Sequence, residues 1–213
     1  VKTDPKAFPY KTSQEVLDGF NGILKKVTPK LKTMFTVTPK TAFEIRQTEK
    51  FREASASAEY VVGTPDGKRP GIFYIPIPDP AKFNVTSGME SLFLHEAIPG
   101  HHYQISLQQE NTSLPKFMRF GWFGAYGEGW ALYCESLGKE FGPYTDPYQK
   151  MGSLSDEMLR AVRLVVDTGL HSGTINREEA IKYFLSNISY DDAAATAEIE
   201  RYMAMPGQAL SYK

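Results

Sequence analysis

The sequence has very little cysteine, no long apolar run and almost no net charge. Its one cysteine, Cys134, excludes an intramolecular disulfide and any zinc site built from several cysteines, but it leaves the cellular compartment open. No stretch approaches the roughly 20 apolar residues of a membrane helix. Lys and Arg total 24 against 25 Asp and Glu, a formal charge of -1. This balance removes the usual electrostatic case for binding nucleic acid or a membrane surface.

The composition is that of a globular protein. With 213 residues, 41% of them hydrophobic, the chain can bury a substantial core. We predict one catalytic domain over 1–213, made of an N-terminal helical segment (1–42), a β-rich part (43–80) and a helical part (87–213). The chain begins at Val1 with neither an initiator Met nor an apolar signal segment. It is therefore expected to be processed or cut from a longer protein.

The hydrophobic pattern predicts an α+β fold that is mostly helical. Apolar residues recur at helical spacing over 12–27, after Thr12 and Ser13 as candidate N-caps. Runs at 58–62 and 71–77, separated by the turn TPDG, predict a β-hairpin. The prolines at and after the end of its second run place that strand near a sheet edge. Helices are predicted at 87–109, 115–140, 147–172, 176–187 and 191–204.

Three of the four histidines fall in the segment HEAIPGHH at 95–102. Zinc hydrolases need imidazole and carboxylate ligands, an open coordination position for water, and a carboxylate that accepts the proton of this water. Their usual motif puts two histidines at i and i+4, one helical turn apart. Here position i+4 is Pro99, and the next histidines are at i+6 and i+7. Chemistry alone therefore makes the segment a candidate metal motif without deciding it.

The spacing requires a distorted helix. In an unbroken helix His101 would lie about 120° around from His95, and His102 would lie about 10 Å away along the axis. Pro99 removes a helical hydrogen bond and Gly100 tolerates unusual dihedral angles, so a kink at this step can return one histidine to the metal. Spacing alone leaves open which of the two it is.

A third ligand can come from the segment YGEGWALYCE at 126–135. Glu128 and Glu135 are seven residues apart, on one face of a helix about two turns apart, so only one is expected to reach the metal. Glu128 has a glycine on each side, which permits close approach. Glu135 can instead orient a ligating histidine from behind.

Four stretches carry a family resemblance: LFLHEAIPGHHYQ, YGEGWALYCESL, RLVVDTGLHSGTINREEAIKYF and EIERYMAMPGQALSYK. In this order they resemble the bacterial domain-of-unknown-function 885 family, which is grouped with the gluzincin metallopeptidases. The resemblance runs from about residue 71 to the C-terminus. Members are typically much longer, which implies that this chain is the C-terminal, catalytic part of such a protein. The family also implies a periplasmic or lipid-anchored location, although a cytoplasmic one is compatible with the cysteine content.

The gluzincin resemblance implies a zincin-like fold and one zinc ion. Carried over residue by residue, it implies His95, His101 and Glu128 as metal ligands and Glu96 as the general base. His101 is preferred to His102 because the Gly100-His101 step resembles the Gly-His step in the shorter motif of the carboxypeptidase Taq family. The two-residue insertion is the point at which this sequence departs from that relative.

Other polar residues are candidates for the same site. Arg163, Asp167 and His171 recur at i, i+4 and i+8 of one predicted helix. In a functional interpretation His171 stabilises the oxyanion, Arg163 binds a substrate carboxylate and Asp167 orients one of them, whereas a structural Arg163–Asp167 ion pair is the alternative. Near Pro206-Gly207, Tyr202 is a candidate catalytic oxyanion donor, and Gln208 and Tyr212 are candidate substrate-binding residues.

The sequence thus predicts a zinc-dependent hydrolase that cleaves peptide bonds. Glu96 would accept a proton from the attacking water and pass it to the leaving amine. One alternative is a catalytically silent binding or structural domain on the same scaffold, and another is a metal-dependent hydrolase of a non-peptide amide. The expected partner is a peptide or small amide substrate, with no nucleic acid and no membrane span in this chain.

Overall fold

A computed structural model of the protein describes residues 4–53, 56–86 and 88–213. Within those ranges the chain is mostly helical with one small sheet, so the predicted α+β class is confirmed at that level. The strands are β1 (Phe43–Gln47), β2 (Glu59–Val61) and β3 (Gly71–Ile75). The helices are α1 (Ser13–Met34), α2 (Lys50–Glu53), α3 (Met89–Glu96), α4 (His101–Glu110), α5 (Lys116–Phe120), α6 (Gly124–Ser136), α7 (Gly138–Phe141), α8 (Pro147–Ser172), α9 (Arg177–Asn187) and α10 (Asp192–Ala204).

Helix α1 begins at the predicted cap and continues past the predicted end. The Thr12 hydroxyl accepts a hydrogen bond from the Glu15 N–H, and the Glu15 carboxylate accepts one from the Thr12 N–H, a capping box. Pro29 lies inside the helix instead of ending it. The buried stripe continues through Val27 and Leu31, so packing against the core outweighs the helix-breaking tendency of Pro29.

The sheet has the order β1-β3-β2, so the predicted edge position of the 71–77 run is wrong. The β2–β3 hairpin forms as predicted, but β1 pairs in parallel with the other side of β3. The prolines do not prevent this pairing because the last paired residue of β3 is Ile75, and Pro76 and Pro78 follow it. The two edge strands of this sheet are therefore β1 and β2.

Two predicted long helices are each divided in the structure. The 87–109 helix, whose first residue lies outside the described residues, is split into α3 and α4. The 115–140 helix is split into α5, α6 and α7, and the first break begins at Gly121, where an added Cβ would collide with the Phe117 carbonyl oxygen. Helix α8 has the predicted bounds, and α9 and α10 begin one residue after the predicted positions because Asn176 and Asp191 are their N-caps.

The buried apolar residues form two hydrophobic clusters. The first joins α1, the sheet and α3, and it includes Phe20, Phe73 and Phe93. The second joins α8, α9 and α10, and it includes Val166 and Phe184. Helix α3 packs against α6 and α8, and α4 packs against α6. The HEAIPGHH segment therefore lies near the contact between α3 of the first cluster and α8 of the second.

Candidate metal centre

The HEAIPGHH segment is not one helix. Helix α3 ends at Glu96, α4 begins at His101, and the connection contains a cis peptide bond between Ile98 and Pro99. Gly100 lies so close to the end of α3 that an added Cβ would collide with the backbone carbonyl oxygen of His95. The predicted break at the Pro-Gly step is therefore present, and its close packing requires glycine.

This break brings His95 and His101 together. His95 lies in the last turn of α3 and His101 is the first residue of α4, so the two side chains face each other across the connection. Their ring centroids are 4.7 Å apart, with the ring planes 87° apart. Both residues are buried.

The Glu128 carboxylate on α6 faces both imidazoles. Its Oε2 lies 3.2 Å from His95 Nε2 and 3.5 Å from His101 Nε2. Helix α6 packs against both α3 and α4, which explains why one side chain can reach both rings. Burial would raise the pKa of Glu128, but the two histidines outweigh it and hold the pKa well below its usual range.

Glu135, two turns further along α6, binds the other side of His95. Its Oε1 is 2.7 Å from His95 Nδ1, so Nδ1 donates to this carboxylate and Nε2 faces Glu128. An unprotonated Nε2 would then place a lone pair against a carboxylate oxygen, an arrangement that requires a cation between them. Burial favours neutral His95, but Glu128 and Glu135 outweigh it and raise the His95 pKa to about 9. A proton or a metal ion can fill the role of this cation.

Glu96 lies beside His95 and His101. One of its carboxylate oxygens is within 4.8 Å of ligand atoms of His95 and His101. Burial raises the pKa of Glu96, while the nearby histidines and a backbone hydrogen bond from Tyr60 on β2 oppose this. Such a carboxylate is a better proton acceptor than an exposed glutamate.

His102 turns away from this cluster toward the sheet. Its Nδ1 is 2.9 Å from the Tyr60 hydroxyl, and its ring packs 4.6 Å from the ring of Phe43. Burial lowers the His102 pKa to about 4, so the ring is neutral at physiological pH. Of the two histidines that spacing left open, only His101 points at Glu128.

The cluster lines an open cavity of about 400 Å³. The cavity is bordered by β2, α4, α6 and the C-terminal segment, and its other residues include Tyr60, Ile105, Trp122 and Tyr212. The Trp122 ring packs 5.7 Å from the His101 ring and directly over Gly127, where a Cβ would collide with it. A larger cavity of about 570 Å³ is bordered by other residues of α4 and α6 and by none of the cluster residues.

The C-terminal segment reaches the cluster through Gln208 and Tyr212. Gln208 Nε2 lies 3.4 Å from Glu128 Oε1 and 3.1 Å from the Tyr212 hydroxyl oxygen. The Tyr212 ring lines the cavity 6.1 Å from the His95 ring. Because Gln208 donates to the Tyr212 oxygen, the phenolic hydrogen can point toward a ligand. Burial raises the pKa of Tyr212, which keeps this hydrogen in place.

Tyr202 and Arg163, two predicted site residues, have structural partners instead. Tyr202 is 1% exposed within the second hydrophobic cluster, so it cannot act as the predicted oxyanion donor. Its hydroxyl accepts from Arg163 Nε at 2.9 Å and donates to Glu198. Arg163 also bonds Glu198 and stacks 5.0 Å from the Tyr212 ring centroid. It positions Tyr212 and does not present a free guanidinium for a substrate carboxylate.

His171 lies outside the residues that line the cavity, which argues against its predicted oxyanion role. It sits in the last turn of α8 with a partly exposed side chain, and its Nδ1 is 2.9 Å from the Asp167 carbonyl oxygen. Asp167 is buried and accepts from the Gly207 N–H at 3.2 Å. The Asp167 carboxylate therefore anchors the turn that leads to Gln208, and Arg163 pairs with Glu198 instead of forming the alternative ion pair with Asp167.

Tyr60, Trp122 and Arg160 contact residues of the cluster and are not among the sequence predictions. Tyr60 lies on β2, Trp122 lies between α5 and α6, and Arg160 lies on α8 with its Nη2 3.0 Å from Glu135. The hydrophobic pattern of the sequence does not distinguish Trp122 and Tyr60 from aromatic residues of the core, so it could not identify them. Arg160 lies three residues before Arg163, at helical spacing, and this was the one indication that could have found it.

The family model for a bacterial protein of unknown function, DUF885, matches residues 1–213. The chain belongs to the DUF885 family. This DUF885 chain is also similar to the crystal structure of a protein described as a "putative lipoprotein" from Colwellia psychrerythraea, with a TM-score of 0.93 and 40% identity. The match covers 99% of this chain and 37% of the Colwellia chain.

A second solved structure shares the fold of the DUF885 chain. It is described as a "putative lipoprotein of unknown function" from Shewanella oneidensis, with a TM-score of 0.72, 21% identity and coverage of 98% of this chain and 39% of that one. The chain thus spans well under half the length of both relatives. No curated protein matches it. In the described residues, no helix combines the length and apolar character needed to cross a bilayer.

Proposed function

We propose that this DUF885 chain carries the zinc site of a gluzincin-like hydrolase, with His95, His101 and Glu128 as ligands. The observation that carries the proposal is the close approach of one Glu128 carboxylate oxygen to both imidazole rings. Glu128 Oε2 is 3.2 and 3.5 Å from the two Nε2 atoms. Ligands held about 2.0 Å from zinc in a tetrahedron are separated by roughly 3.3 Å. The donor set, two imidazole nitrogens and one carboxylate oxygen, also suits zinc.

The arrangement supports a catalytic centre over a closed structural one. Structural zinc sites are completed by four protein ligands, whereas catalytic sites keep one position for water or substrate. His102, which follows His101 directly in the sequence, is instead held by the Tyr60 hydroxyl, 2.9 Å from its Nδ1, and packs against Phe43 of β1. The three-ligand cluster opens to the cavity, which leaves room for water and a substrate.

The chemistry that follows is hydrolysis assisted by Glu96. A bound zinc ion would supply Lewis acidity, which polarises a carbonyl group and acidifies water. Glu96 accepts the proton of the attacking water as its oxygen adds to the carbonyl carbon, and returns this proton to the leaving nitrogen as the C–N bond breaks. Its raised pKa suits both transfers. The Tyr212 hydroxyl takes the oxyanion role that the sequence assigned to Tyr202.

The position of β2 favours a peptide substrate over a small amide. β2 is an outer strand of the sheet and its residues Glu59 and Tyr60 line the cavity. An extended peptide can add to such a strand by backbone hydrogen bonds, which places its carbonyl groups beside the cluster. The strand available for such pairing is therefore β2 and not the 71–77 run, which lies in the middle of the sheet. The description of both relatives as lipoproteins supports a lipid-anchored location for the protein, within the same proposal.

The test is the variant Glu96→Gln, which keeps the size of the side chain and removes the base. We expect it to retain one zinc ion per chain by elemental analysis and to lose peptide-library cleavage by at least about 100-fold, the usual contribution of general base catalysis. The matched control is Glu140→Gln, at an exposed position on α7, which should behave as wild type. Cleavage retained in Glu96→Gln would exclude the assigned base.

If the chain is instead a catalytically silent domain, the wild-type protein should show no peptide cleavage. It would bind zinc without cleaving any member of the library, or bind none. Cleavage of small amides without cleavage of peptides would instead favour the non-peptide hydrolase. Each result is read from the same pair of measurements, zinc content and product formation.

A further inference from the structure

A buried row of charged groups extends from His95 into α8. Glu135 Oε1 is 2.7 Å from His95 Nδ1 and 3.0 Å from Arg160 Nη2, so one carboxylate oxygen accepts from both the imidazole and the guanidinium. The side chains are only 7% exposed for Glu135 and 12% exposed for Arg160. Burial of this kind makes each charge depend on its partner.

Arg160 is itself held from several sides. Its Nη1 donates to the Asp156 carbonyl oxygen at 3.3 Å and lies 3.9 Å from the Asp156 carboxylate. The Ser91 hydroxyl on α3 donates to that same carboxylate. The Arg160 guanidinium also lies 5.3 Å from the centroid of the Tyr212 ring. One side chain of α8 thus contacts both the carboxylate behind His95 and the tyrosine on the cavity wall.

A carboxylate behind a ligating histidine fixes the tautomer and the ring orientation of that histidine. Glu135 can do this only while its own orientation is fixed and its charge is kept. Arg160 supports both the orientation and the charge of Glu135. Its positive guanidinium donates to the carboxylate in a fixed, directional geometry.

We propose that Arg160 is a positioning residue of the metal centre, which acts on His95 through Glu135 and supports the ring of Tyr212. This inference rests on the proposed zinc site. It adds Arg160 to the residues of the site, although Arg160 contacts neither the coordinating atoms of the proposed ligands nor a substrate. The competing explanation is an ion pair that only holds α6 and α8 together.

Zinc affinity separates the two explanations. In Arg160→Gln the Glu135 carboxylate loses its charged partner, and we expect zinc to bind about 10- to 100-fold more weakly in competition with a chromophoric chelator. Arg160→Lys keeps the charge but not the fork, so its affinity should fall between those of Arg160→Gln and wild type. The lysine variant also keeps the test decisive if Arg160→Gln does not fold.

Two control variants test whether loss of an arginine charge, or loss of stability alone, weakens zinc binding. Arg177→Gln removes an exposed arginine paired with Glu200 and should leave zinc affinity unchanged. Val166→Ala, a fully buried position on the same helix, should lower the thermal midpoint without weakening zinc binding.

The outcomes are distinguishable. Wild-type zinc affinity in both Arg160 variants, with only a lowered thermal midpoint of the metal-free protein, would show a purely structural ion pair and overturn the inference. A wild-type protein that binds no zinc would overturn the proposed site, and the inference with it. Weakened binding in Arg160→Gln with partial recovery in Arg160→Lys supports both.

Discussion

His95 is the residue whose protonation links the site to stability. Glu128 and Glu135 raise its pKa from 6.5 to about 9, against the effect of burial. Because the pKa in the folded state is the higher one, this stabilisation is fully present below pH 6.5 and is lost as the pH rises through about 9. For the metal-free protein we predict that the free energy of unfolding falls over this range by up to roughly 3 kcal/mol.

Chemical unfolding of the chelator-treated protein at a series of pH values measures this fall. The variant His95→Gln should lack the slope, because it removes the titrating ring and leaves the neighbouring carboxylates. Zinc should suppress the slope in the wild type, since metal replaces the proton on His95. A metal-free wild-type protein with constant stability from pH 6.5 to 9 would contradict the role of His95.

Tyr212 and Tyr202 should respond differently to loss of the hydroxyl. Tyr212→Phe is expected to reduce kcat by about 100-fold with little change in stability, because Tyr212 lines the cavity and is not buried in a hydrophobic cluster. Tyr202→Phe should leave kcat unchanged and cost about 1–3 kcal/mol of stability, because Arg163 and Glu198 lose a buried partner. Steady-state kinetics and denaturant unfolding of the two variants check this, and a reversed pattern would restore the sequence assignment.

The sequence named most of the cluster residues but not their surroundings. His95, Glu96 and Glu128 stand in short segments whose composition suits a metal site, and the structure brings them together with His101. Their roles stay predictions. The sequence predicts Tyr202 and not Tyr212 as the oxyanion donor, because the pattern does not show that Tyr202 on α10 is buried in the second hydrophobic cluster.

At the scale of elements, the break between α3 and α4 decides the geometry of the site. In Gly100→Ala the new methyl group would meet the His95 carbonyl oxygen, which is backbone and cannot rotate away. We predict a loss of about 1–3 kcal/mol of stability, as for other overpacked positions, together with weaker zinc binding, because α4 and His101 must shift.

The matched control for Gly100→Ala is Gly22→Ala. Gly22 lies in α1, and nothing lies within 4 Å of a Cβ added there. This change should stabilise the protein by up to about 1 kcal/mol without any effect on zinc. Denaturant unfolding and chelator competition test both variants, and normal zinc affinity in Gly100→Ala would show that the close packing does not position His101.

The apolar periodicity predicts a helix accurately where its buried face and its capping residues indicate the same bounds. Helix α8 has its predicted bounds because a strong apolar stripe follows the Asp146 cap and ends at Gly173. The strand order could not be predicted, since the pairing of β1 with β3 depends on a contact between segments that are far apart in sequence. The break after α5 lies at Gly121, which packs closely against the Phe117 carbonyl oxygen, a contact that composition does not show.

At the scale of the whole molecule, the proposed metal ligands lie on three helices, α3, α4 and α6. α3 packs in the first hydrophobic cluster, and α8, which carries Arg160, packs in the second. Helix α6 lies against α3 and supplies Glu128. A zinc ion would therefore link α3, α4 and α6, and binding energy at the site would add to the stability of the folded chain.

The most direct test of this account is anomalous X-ray scattering at the zinc edge from crystals of the zinc-loaded protein. We predict a single peak about 2.0–2.2 Å from His95 Nε2, His101 Nε2 and a Glu128 oxygen, with the next coordination position open to the cavity. A peak held by His102, a site closed by a fourth protein ligand, or no peak between these three residues would contradict it.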